Sequence, residues 1–421
     1  MRKEILEEFN EWWYTEEAPR DLLMDYKRHL FSSVVKNVKK RHILSITGLR
    51  RTGKTTIMYQ VIDNLLKEET KAQNIVYFSF DEMVEGLDDV IDTYREIHAI
   101  NLRKERIYLF MDEVQKLKDW ENQIKKYYDL YPKLKFVISG SESLFVGKLS
   151  KETLAGRIHE FYLPTLSFSE FLDLKGIKPK PYAPRIKPMF MEYVNKGGFP
   201  EMVNETNMKE VARYIRSSVI DKIVYKDVPT ISGIRNVELL HQLLAAMAIN
   251  PGMDLSYQSL AEQFDSDRRT IKEYVMWLKE SFLIRLVGNY RKGTASLRKN
   301  KKAYLLDCGI ISAFKPQIDD AFLGRMVENA VINTVGTQAF WRNRREVDAV
   351  VDGISLEVKY QDKIIRSDLK GLSEFMRKFN TKFGFVISKN REERMKTEHG
   401  LVIFVPAWKL LLNPSIIRRK A

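Results

Sequence analysis

The sequence predicts an α/β protein assembled from more than one domain, and three observations carry that reading. Four apolar runs of strand length alternate with charged helical stretches: "HILSIT" (42–47), "NIVYFSF" (74–80), "RIYLFMD" (106–112) and "KFVIS" (135–139). Strands that are apolar throughout are buried on both faces, as in a parallel sheet covered by helices. A second group of strands follows Arg325, and 421 residues are too many for one ordinary core.

Residues 1–40 read as helical. Ile5, Phe9, Trp12 and Trp13 share one face, and Leu22, Leu23, Tyr26, Leu30 and Val34 continue it after Pro19, as packing against the next domain requires. The stretch "KGIKPKPYAPRIKP" (175–188) holds four of the thirteen prolines and reads as a linker or exposed loop. Helices resume through 189–284. From Arg325 a helix, three strands, a helix at 367–379 and the strands "FGFVIS" and "GLVIFV" form a second α/β unit. These breaks divide the chain into 1–174, 175–235, 236–320 and 321–421.

Apolar residues at 44% and charged residues at 30% describe a folded, soluble protein. No uncharged apolar run reaches the ~18 residues of a membrane span, and "MRKEILEEFN" lacks the apolar segment of a signal peptide. The expectation is a cytoplasmic location with no membrane contact. Cys308 has no second thiol for a disulfide and no CxxC or HxxxH company for a metal. The net charge of +14 favours a polyanionic partner, nucleic acid first, although a thermophile's surface carries the same sign.

"GLRRTGKT" (48–55) matches GxxxxGK[ST] and lies between an apolar strand and the helical "TTIMYQVIDNLLKE". Such a loop turns backbone N–H groups around a β-phosphate, and the helix N-terminus adds positive potential. Lys54 then reaches the β- and γ-phosphates of ATP and Thr55 ligates Mg2+. Gly48, Arg51, Thr52, Gly53 and Thr56 complete the cradle. "IYLFMDEVQ" ends a buried strand on two carboxylates: Asp112 to hold magnesium through water, and Glu113 to orient and activate the attacking water. That pair argues for hydrolysis and not binding alone. "KFVIS" runs into "GSES", so Ser139 or Ser141 senses the γ-phosphate; the sequence leaves both open.

"GLRRTGKTT", "FMDEVQKLKDWE", "FVISGSESL", "LAGR" and "LPTLSFSEFL" resemble, in that order, the signatures of archaeal and bacterial AAA+ P-loop ATPases with a C-terminal nuclease-like domain of uncharacterised function. The resemblance runs from about residue 20 to the end. It implies the strand order of AAA+ and RecA-like ATPases and a homo-oligomer, a hexameric ring among its forms, with sites between subunits. It makes Arg157 of "LAGR" the candidate arginine acting in trans on a neighbour's γ-phosphate, with Arg50 and Arg51 the alternatives in cis. The "GGFP" at 197–200 would start a helical lid.

"SYQSLAEQFDSDRRTIKEYVMWLKESFLI" (256–284) has the form of a helix-turn-helix. Leu260, Ala261 and Phe264 mark the first helix. Asp265, Ser266 and Asp267 turn and cap a second, with Ile271, Tyr274, Val275 and Leu278 inward. The cap leaves Arg268, Arg269 and Lys272 at the exposed start, where a recognition helix meets DNA. Residues 281–306 carry Arg285, Arg291, Lys292, Arg298, Lys299, Lys301 and Lys302 and no acid, broken by Tyr290 and Gly293 as a β-wing is. A winged helix of this charge binds DNA mainly through phosphates; others of the fold mediate protein contacts.

Finally, Glu328 lies on "GRMVENAVINTV", Asp348 closes "FWRNRREVD" as one strand, and Glu357-Val358-Lys359 follows on the next. The order resembles the PD-(D/E)XK nuclease fold, a restriction-endonuclease-like α/β domain. There the acids, here Asp348 and Glu357 with Glu328 from the helix, hold one or two Mg2+ ions while the lysine positions or deprotonates water. Period-2 alternation puts Glu357 and Lys359 on one face. Trp341, Arg342, Arg344 and Arg345 either contact nucleic acid beside the site or pack and solvate an edge. The combined expectation is an ATP-hydrolysing motor or remodelling enzyme on duplex or branched DNA, as in recombination or repair, whose last domain binds or cuts it. The alternatives are a nucleotide-controlled regulatory switch with a non-catalytic C-terminal assembly module, and a DNA-binding regulator with little turnover.

Overall fold

The computed structural model describes residues 1–82, 84–140, 153–178, 186–290 and 301–418. Ser141, Arg291, Lys292, Gly293, Arg298 and Lys299 lie outside the described residues. The chain forms two compact units, Met1–Pro164 and Thr165–Ala421.

In the first unit the four apolar runs become β1 (Ile43–Thr47), β2 (Ile75–Ser79), β3 (Ile107–Asp112) and β4 (Leu134–Gly140), joined by β5 (Ile158–Tyr162). All pairings are parallel, in the order β2-β3-β4-β1-β5. Every residue of β1 to β4 is buried, as strands covered on both faces must be. Helices Lys54–Lys67, Leu87–His98 and Trp120–Leu130 make the crossovers. Because β4 lies between β1 and β3, the C-terminal ends of three adjacent strands open together, where open α/β sheets bind ligands.

The N-terminal segment closes the free edge of β2. Asn10 Nδ2 donates to the Tyr77 carbonyl at 2.9 Å, and Asn10 Oδ1 accepts from the Tyr77 N–H at 2.7 Å. The indole N–H groups of Trp12 and Trp13 both donate to the Ile75 carbonyl, at 3.0 and 2.8 Å. Left open, that edge would offer its backbone to another chain.

The second unit holds two further sheets. β6 (Met253–Leu255) and β7 (Ile284–Asn289) both pair antiparallel with β8 (Lys301–Leu305). β9 (Ala339–Arg342) joins β7 in parallel and β10 (Glu346–Val347) pairs antiparallel with β9, giving β10-β9-β7-β8-β6. The last sheet contains β11 (Ala349–Val351), β12 (Ile354–Lys359), β13 (Phe383–Ser388), β14 (Glu393–Thr397) and β15 (Gly400–Pro406). Its order is β11-β12-β13-β15-β14, parallel in the centre and antiparallel at both edges. Helices Asp320–Val335 and Lys370–Phe379 pack against β12.

The stretch read as one strand, "FWRNRREVD", is instead a hairpin. Glu346 pairs with Arg342 and Val347 with Trp341, and the Asn343 N–H donates to the Arg345 carbonyl at 2.9 Å. Asn343, Arg344 and Arg345 in succession cannot alternate between a core and solvent, so the chain turns there. Trp341 is buried edge-to-face on Phe375, ring centroids 5.5 Å apart, so of its two readings packing is the one realised. Arg342 pairs with Glu346 and, at 2.8 Å, with Asp254.

Candidate functional site

At the C-terminal end of β1 the chain makes the loop that precedes helix Lys54–Lys67. A side chain at Gly48 would place its Cβ 2.2 Å from the Leu163 carbonyl oxygen, so only glycine fits. Gly53 caps the helix in the left-handed region, φ 92°, and Arg51 also has positive φ, 65°. Thr52 is buried with its hydroxyl on the Leu49 carbonyl at 2.9 Å. Lys54 Nζ donates to the Gly48 and Leu49 carbonyls at 3.2 and 3.1 Å, which curls it over the loop.

The Thr55 hydroxyl donates to Asp112 Oδ2 at 2.6 Å, joining the loop to the tip of β3. Ser139, at the end of β4, donates to Asp112 Oδ1. Burial first, then the Glu113 charge, pushes the Asp112 carboxyl above its ordinary range against Thr55, Lys54 and Tyr77. A buried carboxylate beside a hydroxyl oxygen suits a hard divalent cation, whose charge would bring the carboxylate back to its ionised form. Glu113 sits in the left-handed region, φ 50° and ψ 40°, and its Oε2 accepts from Gln115 Nε2 at 2.6 Å. Such strain at a non-glycine residue persists where surrounding structure imposes it, commonly at functional sites.

Three supports escaped the sequence reading. Tyr77, on β2, donates to Asp112 Oδ2 at 3.0 Å. Gln115 holds Glu113 as described. Arg28 is buried and donates from Nη1 to the Thr52 carbonyl at 2.8 Å and from Nη2 to the Pro164 carbonyl at 2.9 Å, clamping the loop from outside. Arg157 is not brought to this site within the chain. It precedes β5, whose Ile158 lies level with Ile43 at the opposite end of β1, and it pairs with Asp129 at 3.2 Å. At ~3.3 Å per strand residue that end is roughly 16 Å from the loop.

In the second unit, helix Tyr257–Gln263 is followed by helix Arg268–Glu280. Asp267 caps the latter by accepting from the Arg269 and Thr270 N–H groups at 2.8 and 2.9 Å. Ile271, Tyr274, Val275 and Leu278 are buried, while Arg268, Arg269 and Lys272 are exposed. Two bases counted with the exposed wing turn inward instead. Arg285 Nε donates to Asn333 Oδ1 at 3.1 Å, and Lys302 is buried and paired with Glu346.

Glu328, Asp348, Glu357 and Lys359 gather around β12. Asp348 lies between β10 and β11, at the point where the chain leaves one sheet for the next. Its Oδ2 accepts from the Val358 N–H at 2.7 Å. Lys359 Nζ pairs with Glu357 Oε1 at 2.6 Å, and Tyr304 donates to Glu328 Oε1 at 2.7 Å. Burial, then Asp348, pushes Glu328 up to about 7 and Glu357 up to about 9. Asp348 too is raised by burial, against the charges of Lys302 and Lys359. Burial pulls Lys359 down, but Glu357 and Asp348 outweigh it and hold the ammonium above its usual value. Among the described residues no three His, Cys, Asp or Glu side chains are arranged to hold a metal ion. Glu357 Oε2 is nevertheless buried with no hydrogen-bond partner, an acceptor that a cation beside Asp348 would satisfy.

A buried parallel sheet with a phosphate-binding loop at the end of β1 and a carboxylate pair at the tip of β3 defines a P-loop nucleotide-binding domain. Comparison agrees: residues 40–172 match a family profile described as an AAA domain, and this segment is an AAA-type ATPase-like domain. Residues 187–320 match a profile described as a domain of unknown function, DUF8612. An uncharacterised protein of Haemophilus influenzae is 28% identical over 275 residues, covering 63% of this chain and 67% of that protein. An uncharacterised protein of Methanocaldococcus jannaschii, MJ1637, is 25% identical over 415 residues, 90% of this chain and 84% of its own length. Among solved structures, a signal transduction ATPase with numerous domains and a tetratricopeptide repeat sensor, from Pyrococcus horikoshii, aligns with TM-score 0.30 and 13% identity. That alignment covers 76% of this chain and 46% of the other. AMPPCP-bound DnaA from Aquifex aeolicus aligns with TM-score 0.30 and 14% identity, over 60% of this chain and 86% of its own. No helix among the described residues is long and apolar enough to cross a membrane.

Proposed function

We propose that this protein is an ATP-hydrolysing AAA+ enzyme that acts on duplex or branched DNA, with a C-terminal nuclease-like domain that binds the DNA and cuts it. The observation that supports the ATPase part is the 2.6 Å hydrogen bond from Thr55 to Asp112, which joins the oxygens of the two motifs that would hold magnesium. When bound, magnesium would neutralise the phosphates and polarise the γ-phosphoryl group. The N–H groups of the loop and Lys54 hold the phosphates, Ser139 steadies Asp112, and Glu113 takes a proton from the attacking water once Gln115 releases it. Arg157, far from its own site, acts on a neighbouring subunit in a homo-oligomer.

The DNA part rests on the exposed Arg268, Arg269 and Lys272 at the start of a capped second helix. With β6-β8-β7 beside it, this segment reads as a winged helix. In the last domain Asp348 and Glu357 would share a magnesium ion completed by water and phosphate oxygens, a donor set that ion accepts. Lys359, kept protonated, positions the water and a phosphate oxygen. The division into ATPase core, lid, winged helix and nuclease-like domain belongs to the same reading.

A second reading, a nucleotide-controlled switch whose last domain only assembles, is favoured by the ion pairs Lys359–Glu357 and Lys302–Glu346, which neutralise the acids internally. ATPase and cleavage assays on linear, forked and four-way DNA separate the two. DNA should stimulate hydrolysis several-fold, and Asp348→Ala and Lys359→Ala should each abolish magnesium-dependent cleavage while sparing ATP hydrolysis. Hydrolysis indifferent to every DNA, with no cleavage by the wild type, would establish the switch instead.

A further inference from the structure

The first unit carries 27 Lys and Arg against 27 Asp and Glu, so the excess of +14 belongs to the second. Within this neutral unit the charges are segregated. Lys40 and Arg41 lead into β1, Arg103, Lys104 and Arg106 into β3, and Lys133 into β4, with Glu105 the acid among these three segments. Since β4 runs between β1 and β3, the three segments meet at the N-terminal end of the sheet. Their contacts bear this out. Arg106 Nη2 donates to the Lys39 carbonyl at 3.0 Å, Lys133 Nζ to the Lys104 carbonyl at 2.6 Å, and the Ile107 N–H to the Lys133 carbonyl at 3.4 Å.

Arg41, Arg103, Arg106 and Lys133 are held by carbonyls and aromatic faces, and among the described residues none of them pairs with an acid. The guanidinium of Arg41 lies 5.0 Å over Tyr128, that of Arg103 5.3 Å over Tyr131, and that of Arg106 5.5 Å over Tyr108. Of the acids nearby, Glu68 pairs with Lys39 at 2.6 Å and Asp129 with Arg157 at 3.2 Å, which leaves Glu105 as a single negative charge against the six cations. Arg106 Nε is a buried donor without a hydrogen-bond partner. Concentrating like charge in this way is unfavourable for an isolated fold, because the repulsion among uncompensated cations is relieved only by counterions or a polyanion.

We infer that the N-terminal end of this sheet is a second DNA surface, which binds the phosphate backbone of a duplex independently of the cationic helix in the other unit. The tyrosine faces are already covered by guanidinium groups, so they are closed to stacked bases and the contact is to phosphates. Among the described residues, Leu130, 47% exposed, is the large apolar side chain presented at this end, whereas a membrane-bound surface inserts several. The surface lies at the opposite end of β1, β3 and β4 from the nucleotide loop, so phosphate binding there leaves ATP binding open. The same three strands run directly from the cations to the loop, Asp112 and Ser139.

The test uses the full-length protein and a fluorescein-labelled duplex of mixed sequence, titrated without nucleotide at a series of salt concentrations. K40Q/R103Q/K133Q is compared with wild type, with K40E/R103E/K133E, and with R268Q/R269Q/K272Q. Three lost phosphate contacts should lower the slope of log affinity against log salt by about 2 to 3, at ~0.9 per phosphate. The loss should add to that of the helix variant, be larger for the glutamate triple, and leave the unfolding midpoint of the glutamine triple unchanged. Wild-type slope and affinity in the glutamine triple would overturn the inference even if the glutamate triple failed to fold. Phosphatidylserine vesicles are the second probe: vesicle binding lost by the triple with duplex binding intact would overturn the assignment to DNA. If the helix variant alone binds DNA as wild type does, the winged-helix reading fails and this surface stands.

Discussion

Replacing Glu328 by glutamine should stabilise the second unit at alkaline pH and leave it unchanged in acid. Among the described residues, the four acids Glu328, Glu346, Asp348 and Glu357 share one region with three cations, Lys302, Lys359 and Arg342. Burial and the Asp348 charge push Glu328 from 4.5 up to about 7, so the folded chain holds that proton more tightly than the unfolded chain. The associated stability is present below about pH 4.5 and is lost as the pH rises through about 7. At ~1.36 kcal/mol per pH unit, the loss approaches roughly 3 kcal/mol by mild alkali. Glutamine keeps the acceptor used by the Tyr304 hydroxyl and carries no charge, while Lys302 retains Glu346. Allowing for the attraction forfeited with Lys302, the variant should gain about 1 to 3 kcal/mol at high pH. Urea unfolding of both proteins in EDTA, near pH 5 and near pH 8.5, measures this. Equal stability at both values, or a gap independent of pH, would refute a buried carboxylate in surplus among its neighbours. Millimolar magnesium should narrow the gap at high pH by stabilising the wild type.

Glu113→Gln should bind ATP as the wild type does and lose about a hundredfold or more in turnover, since it removes a general base and not a ligand; single-turnover hydrolysis against analogue binding separates the two. Arg28→Met should weaken binding of a fluorescent ATP analogue by tenfold or more, because each hydrogen bond from a charged donor contributes about 1.5 to 3 kcal/mol. Unchanged affinity would mean that the loop holds its shape without the clamp. Asn10→Ala should lower the stability of the first unit by about 1 to 3 kcal/mol by orphaning two backbone groups of Tyr77, and should promote aggregation from the uncovered strand edge. Thermal unfolding with light scattering reports both.

Much of the first unit was legible because its information is local. β1 to β4 are apolar throughout, and the loop motif fixes its own geometry through spacing. β5 was not read as a strand since it is only partly buried, and "IHEFY" carries no apolar run. Arg28 was invisible because it hydrogen-bonds to carbonyls, which leave no trace in the partner's residue type. In the second unit the acids were readable from their order, but Lys302 was not. As part of a basic run it reads as solvated, whereas alternation along β8 turns it inward toward Glu346, forty-four residues later. The hairpin at 342–346 was missed for the same reason: its first arm is set by pairing with β7, distant in the sequence.

The placement of Asp348 ties the basic hairpin to the acid cluster. Val347, just before it, is paired in the sheet that contains β7 and β8, and Ala349, just after it, is paired in the sheet that contains β12. Its carboxylate is anchored to the Val358 N–H at 2.7 Å, so it moves with β12, while Lys302, whose charge lowers it, moves with β8. At an effective dielectric near 20, drawing an ammonium back from about 4 to about 8 Å removes roughly 2 kcal/mol of attraction, more than one pH unit in a carboxyl's titration. A shift of β8 against β12 by a few ångströms would therefore change the proton affinity of Asp348, with no hinge or lid.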